Sequence, residues 1–356
     1  MSMNYTRIIF LLCSMYGYVC AGNHQDITVH HEPLYCCLQE SPYIIDACTV
    51  LARGLYSDHN TTEIVFDSLF PVSGPLILHG GIIHLMQDMH FEYPGSLIGV
   101  GTIRGNHHAL MLPRQDWLLF PVLPRRYDNY AFCMHDVTIV CQGNVKMTMP
   151  LCITGECTID GGGNIFDMDE HPFMLDPGAT LCIKNSVIRG SVFEAFVMDD
   201  TSTLIFDTVT LLLENDITFN RGIMHIEGMC TFVGTSAITY ASEKPCMIHR
   251  HSCICVKNGA TFVFDPQKYK QSGIDCVDAT SVIHLVHASL QSEKPLLLTR
   301  GTLRLQGAVF LENGGTSCRD GIIIGDGKNM RNNMTICSDD STTVTITRGY
   351  IVYNNV

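Results

Sequence analysis

Four groups of side chains could carry chemistry. Asp199 and Asp200 are adjacent carboxylates, the residue type that supplies acid and base for glycoside cleavage when a sugar lies between the two groups. They directly precede the apolar run Thr203 to Leu213, so their position favours another use, as the bend that introduces a strand. His249, His251, Cys253 and Cys255 alternate along the chain and are zinc-ligand types. Four ligands in line on one strand face do not close a tetrahedron, however, and no CxxC pair recurs at zinc-finger spacing. The residues therefore assign no metal, no cofactor and no catalytic group.

The third group lies in the segment 107–130, HHALMLPRQDWLLFPVLPRRYDNY, which holds the single tryptophan. Trp, Tyr and Arg dominate contact energy at binding surfaces. Arg114, Trp117, Arg125, Arg126 and Tyr127 are thus the expected binding residues for a glycan or a surface protein. The alternative for this segment is that Leu118, Leu119, Phe120, Val122 and Leu123 simply fold it onto the rest of the chain. The fourth group is the cysteines, 17 in 356 residues.

Composition narrows the setting. The formal charge of −13, from 22 basic and 35 acidic residues, leaves no basic excess to neutralise phosphates, so nucleic acid is not an expected partner. With 46% hydrophobic and 16% charged residues the chain is too apolar to be disordered. Residues 1–21 read as an export signal, with Arg7 early, an apolar stretch Ile8 to Val19, and Val19-Cys20-Ala21 presenting small residues before the cleavage point. That stretch falls short of the ~20 residues needed to span a bilayer, and no later stretch spans. The mature protein is expected to be secreted, periplasmic or held at a cell surface. Cys13 and Cys20 leave with the leader, so an odd number of cysteines remains and intrachain disulfides cannot pair them all.

The elements that must position these groups follow from a recurring template: apolar, any, apolar, any, a small or polar residue, two more, apolar. It fits Phe132-x-Met134-x-Asp136-x-x-Ile139, Leu181-x-Ile183-x-Asn185-x-x-Ile188, Leu204-x-Phe206-x-Thr208-x-x-Leu211, Ile283-x-Leu285-x-His287-x-x-Leu290, Leu303-x-Leu305-x-Gly307-x-x-Phe310 and Val344-x-Ile346-x-Arg348-x-x-Ile351. Period-two alternation makes each copy a short strand with one buried face, and the polar residue marks a bend into a second strand. A unit of about 20 residues cannot bury its own apolar face and must stack on its neighbours, which predicts a coiled solenoid. Gly161-Gly162-Gly163-Asn164, Pro177-Gly178, Asn258-Gly259 and Asn313-Gly314-Gly315 supply the turns between runs.

Aligning the copies places Cys133, Cys152, Cys182, Ile205, His225, Val263, His284 and Arg304 in one outward column. Neighbouring strands bring Cα atoms within disulfide range, so Cys133 and Cys152 are expected to be able to pair in an oxidising compartment.

The run Gly155-x-Cys157-Thr158-Ile159-Asp160-Gly161-Gly162-Gly163-Asn164, followed by Pro177-Gly178-Ala179-Thr180-Leu181-x-Ile183-x-Asn185-x-x-Ile188-Arg189-Gly190, resembles right-handed parallel β-helix proteins of the pectin-lyase-like type, bacterial polymorphic surface and autotransporter-passenger repeats among them. The resemblance implies an all-β fold of about a dozen rungs over residues 75–356, interrupted by the 107–130 loop. Enzymes of that superfamily act on polysaccharides. Polygalacturonase-like members carry Asn-Thr-Asp, Asp-Asp, Gly-His-Gly and Arg-Ile-Lys segments, of which this chain has only Asp199-Asp200.

Residues 22–74 form the expected N-terminal cap region. Ser41 can cap a helix with Pro42 at its first position, and Ile44, Cys48, Leu51 and Leu55 would make one apolar stripe, which predicts a helix over about 41–56. The last template copy runs almost to Val356, leaving an edge open to self-association. The expected function is a scaffold or adhesin-like binding module. The alternative is a polysaccharide lyase or glycoside hydrolase on the same fold.

Overall fold

The structure, a computed structural model, describes residues 18–19, 35–36, 43–45, 55–57, 63–67, 71–72, 75–92, 96–119, 131–266, 273–314, 321–328 and 333–354. All regular structure among them is β, and every strand pairing is parallel. The helix expected over about 41–56 is not shown. The described parts of that span are strands, Tyr43–Ile45 and Leu55–Ser57, paired in parallel with Glu63–Phe66 and with Pro75–Leu85. Cys48 and Leu51, the middle of the expected stripe, lie outside the described residues.

The chain divides into two compact units, Met1–Asn164 and Ile165–Val356. In the first, register carries Ile64 onto Ile83, then Ile103, Met134 and Ile153. All five are at most 1% exposed. A second column runs through Met89, Leu110, Ile139 and Ile159, equally buried.

In the second unit Leu181 pairs with Leu204, Met224, Cys246 and Ile274 in succession. Beside this ladder Ile188, Leu211, Phe232, Val256, Leu285 and Leu305 form a longer one. The alternation seen in the sequence is thus a burial pattern. In Thr180–Arg189, Leu181, Ile183 and Ile188 point inward while Cys182, Lys184 and Arg189 do not.

In five of the six template copies the bend falls on the polar position, and in the last it falls one residue later, on Gly349. Asp136, Asn185, Thr208 and His287 have φ of 50°, 49°, 57° and 48°, and Gly307 has 68°. A left-handed residue breaks the pleat and turns the strand. The Thr203–Leu213 strand accordingly pairs with Ile223–Glu227 before Thr208 and with Met229–Gly234 after it.

The single outward column is corrected by this splitting. Cys182, Ile205 and His225 lie in one ladder, whereas Cys255, His284 and Arg304 lie in the other. Val263 belongs to neither, since it pairs with Thr239 and Gln291. Copies with the same alternation sit on different faces because each repeat carries more than one such strand.

Candidate functional site

Three successive turns of the second unit build a cleft of about 610 Å³. The first is the bend Asp199–Ser202. The Asp199 Oδ1 accepts hydrogen bonds from the backbone N–H and Oγ1 of Thr201, both 2.7 Å, and from the N–H and Oγ of Ser202 at 3.0 and 2.9 Å. The Thr201 hydroxyl foremost, with the other donors, holds the Asp199 carboxyl below the usual carboxylate range. The same device recurs at Asp278 with Thr280 and at Asp339 with Ser341, so Asp199 serves as a turn former. Its neighbour Asp200 is exposed and lines the cleft.

The second turn, Asn220-Arg221-Gly222, crosses close to the first. A Cβ on Gly222, at φ +82°, would stand 2.9 Å from Ser202 O and 3.0 Å from Asp199 O. Only glycine permits that approach without strain. The third turn is tied to the second by Ser242 Oγ, which donates to Gly222 O at 2.6 Å, and it presents Glu243.

Phe196, Val197, Met198 and Ala241 contribute the apolar part of the lining. Phe196 stacks between Phe173 and Phe219, with ring centroids 5.7 and 5.2 Å away, and Phe166 continues the stack beyond Phe173 at 5.8 Å. On this floor Glu194, Asp200, Asn220, Arg221 and Glu243 set three carboxylates, one amide and one guanidinium around one space. Asn220 Nδ2 donates to Glu194 Oε1 at 3.5 Å, which joins two turns across the cleft. Such planar donors and acceptors above an apolar floor suit a polar ligand with many hydroxyls.

The expected binding residues are placed differently. Arg114 is exposed. Trp117 is only 7% exposed, lies in the Trp117–Leu119 strand paired with Val145–Met147, and sets its ring edge-on to Phe91 at 5.2 Å. Arg125, Arg126 and Tyr127 lie outside the described residues. Cys133 and Cys152 are register partners on neighbouring strands.

The alternating histidines and cysteines are dispersed. His249 Nε2 lies 3.1 Å from His225 Nδ1, His251 occupies a turn at φ +56°, and Cys255 Sγ lies 3.7 Å from His284 Nδ1. Burial pushes the Cys255 thiol up, so it is a poor nucleophile despite its imidazole neighbour. Among the described residues no group of three or more His, Cys, Asp or Glu is placed to hold a metal ion. No helix among them is long and apolar enough to cross a membrane.

Glu194, Asn220, Arg221 and Glu243 were not singled out by the sequence. They sit in turns between template copies, 26 residues apart in the case of Glu194 and Asn220, and only strand register brings them together. No family model, curated protein or solved structure matches the chain.

Proposed function

We propose that the protein is an exported, right-handed parallel β-helix of the pectin-lyase-like type that acts as a surface scaffold and binds a glycan in the 194–243 cleft. The parallel in-register ladders and inward apolar columns support the solenoid reading. The cleft lining carries the functional reading. Carboxylates, an amide and a guanidinium can pair sugar hydroxyls while Val197 and Met198 meet the apolar face of a ring. Three carboxylates against one guanidinium repel acidic polymers, so the ligand is an uncharged or amino-bearing saccharide.

Calorimetric titration of the full chain with a panel of neutral, amino-bearing and acidic polysaccharides tests this. Neutral or amino-bearing members should bind, and Glu194→Gln and Arg221→Ala should each weaken binding at least tenfold. Unchanged binding by both variants would remove the cleft from consideration. Paired carboxylates also support glycoside hydrolysis, which gives a second reading to Glu194, Asp200 and Glu243. Release of reducing ends from a bound polymer, lost in Asp200→Asn, would favour that reading, whereas binding without release favours the scaffold. Arg114 marks a second contact surface in the first unit, to be probed by Arg114→Ala on cell-surface or glycan binding.

A further inference from the structure

At one edge of the second unit the core columns run out into solvent. Val309 and Leu311 are 0% and 5% exposed, yet their register partners on the Thr343–Arg348 strand, Val344 and Ile346, are 41% and 53% exposed. Leu303 at 1% gives way to Ile336 at 42%, and Ile324 at 2% to Tyr353 at 64%. The strand Thr343–Arg348 is the last of its sheet among the described residues, so its outer edge faces no further strand there, beside this apolar patch. An uncovered parallel edge with inward-type residues exposed is an association surface.

We infer that this edge pairs with the same edge of a second copy of the chain, in an antiparallel, two-fold arrangement centred on Thr345. The strand reads Thr343-Val344-Thr345-Ile346-Thr347-Arg348, which is self-complementary about Thr345. With Thr345 opposite Thr345 of the second copy, Val344 falls opposite Ile346, within the regular part of the strand that precedes its register shift at Thr347. Directly opposed residues of an antiparallel pair share a face, so the exposed Val344 and Ile346 of both copies meet on the core side and continue the interrupted columns.

Charge fits the same geometry. Arg348 ends the strand, while the exposed Asp340 lies in the turn just before its start. Reversal of direction therefore brings the guanidinium of each copy beside the acidic turn of the other. A two-fold contact of this kind closes on itself and forms a dimer rather than a filament. It is independent of the glycan reading, since none of its residues lines the cleft.

Sedimentation of the full chain across a concentration series should show a monomer–dimer equilibrium. Arg348→Asp should weaken the dimer at least tenfold, and adding Asp340→Arg to that variant should restore it. Both changes are on exposed side chains, and an unaltered thermal melt will show that the fold is intact. Thr345→Cys should also form an intermolecular disulfide under mild oxidation, with the linked peptides identified by mass mapping because Cys337 is exposed nearby. A wild-type chain that stays monomeric up to about 100 µM, a range in which weak transient interfaces already associate, would overturn the inference. So would a dimer indifferent to both charge changes, or a failure of the introduced thiols to cross-link.

Discussion

The corner residues carry the local logic of the fold. Asn185, Thr208 and His287 adopt left-handed backbone without being glycine, and for a β-branched residue such as Thr208 that conformation costs about 1–2 kcal/mol. Thr208 Oγ1 donates to Asp207 Oδ1 at 3.0 Å. Gly228, at φ +62°, lies against the same corner, and a Cβ there would stand 2.4 Å from Thr208 Oγ1 and 2.8 Å from Asp207 Oδ1. Gly228→Ala is therefore expected to destabilise by more than about 1 kcal/mol. Adding Thr208→Gly should recover part of the loss, because the two positions share one contact and their effects cannot be independent. Denaturant unfolding of the two single variants and the double variant measures the coupling, and strict additivity would refute the shared contact. The polar residue at each bend was legible in the sequence, since Asn, Asp and Gly tolerate this region. Thr208 was legible only through its place in the template.

Strands in the second unit are held by what they stack on as much as by their ladders. Phe196 belongs to the very short strand Phe196–Val197, which has few backbone bonds of its own, and its ring sits between Phe173 and Phe219 and edge-on to Phe206 at 5.7 Å. Phe196→Ala removes several aromatic contacts together with buried area and should cost about 3–5 kcal/mol by equilibrium unfolding. Glycan binding should fall with it, since the cleft floor moves. A loss below about 1 kcal/mol would mean that the stack does not support the strand. The expectation of a helix over about 41–56 illustrates the opposite limit of element-level reading. Spacing at three and four residues fitted Ile44, Cys48, Leu51 and Leu55, but the two described pieces of that span, Tyr43–Ile45 and Leu55–Ser57, pair as parallel strands, and a helical spacing carries no information about a distant strand partner.

Across the molecule, histidine burial couples stability to pH. Burial, and after it the neighbouring His249, lowers the affinity of His225 for a proton, with Glu227 opposing. Burial, and after it Arg304, does the same at His284, where Gln306 opposes and Lys257 adds to the effect; Cys255 is its other close neighbour. In the unfolded chain both imidazoles titrate near the ordinary value of about 6.5. Above that pH neither state is protonated and the two groups contribute nothing. As pH falls through it, the unfolded chain takes up protons that the folded chain resists, so stability declines. Melting temperature should therefore drop between pH 7.5 and 5.5, and His225→Gln with His284→Gln should flatten the slope. An equal slope in the variant would show that other groups set it.

Two kinds of information separate cleanly in this chain. Alternation of Leu181, Ile183 and Ile188 with polar neighbours, and the polar residue between them, depend only on what each segment can bury and where its backbone can turn, so an all-β chain of bent, stacking strands is written in the linear pattern. Which ladder a strand joins depends on the length of every intervening turn. That is why Cys182 and Cys255 lie in different columns, and why Glu194, Asn220, Arg221 and Glu243 meet in one cleft although nothing in their spacing announces it. The cleft exists only in three dimensions, because register converts distant turns into neighbours and a linear pattern contains no register.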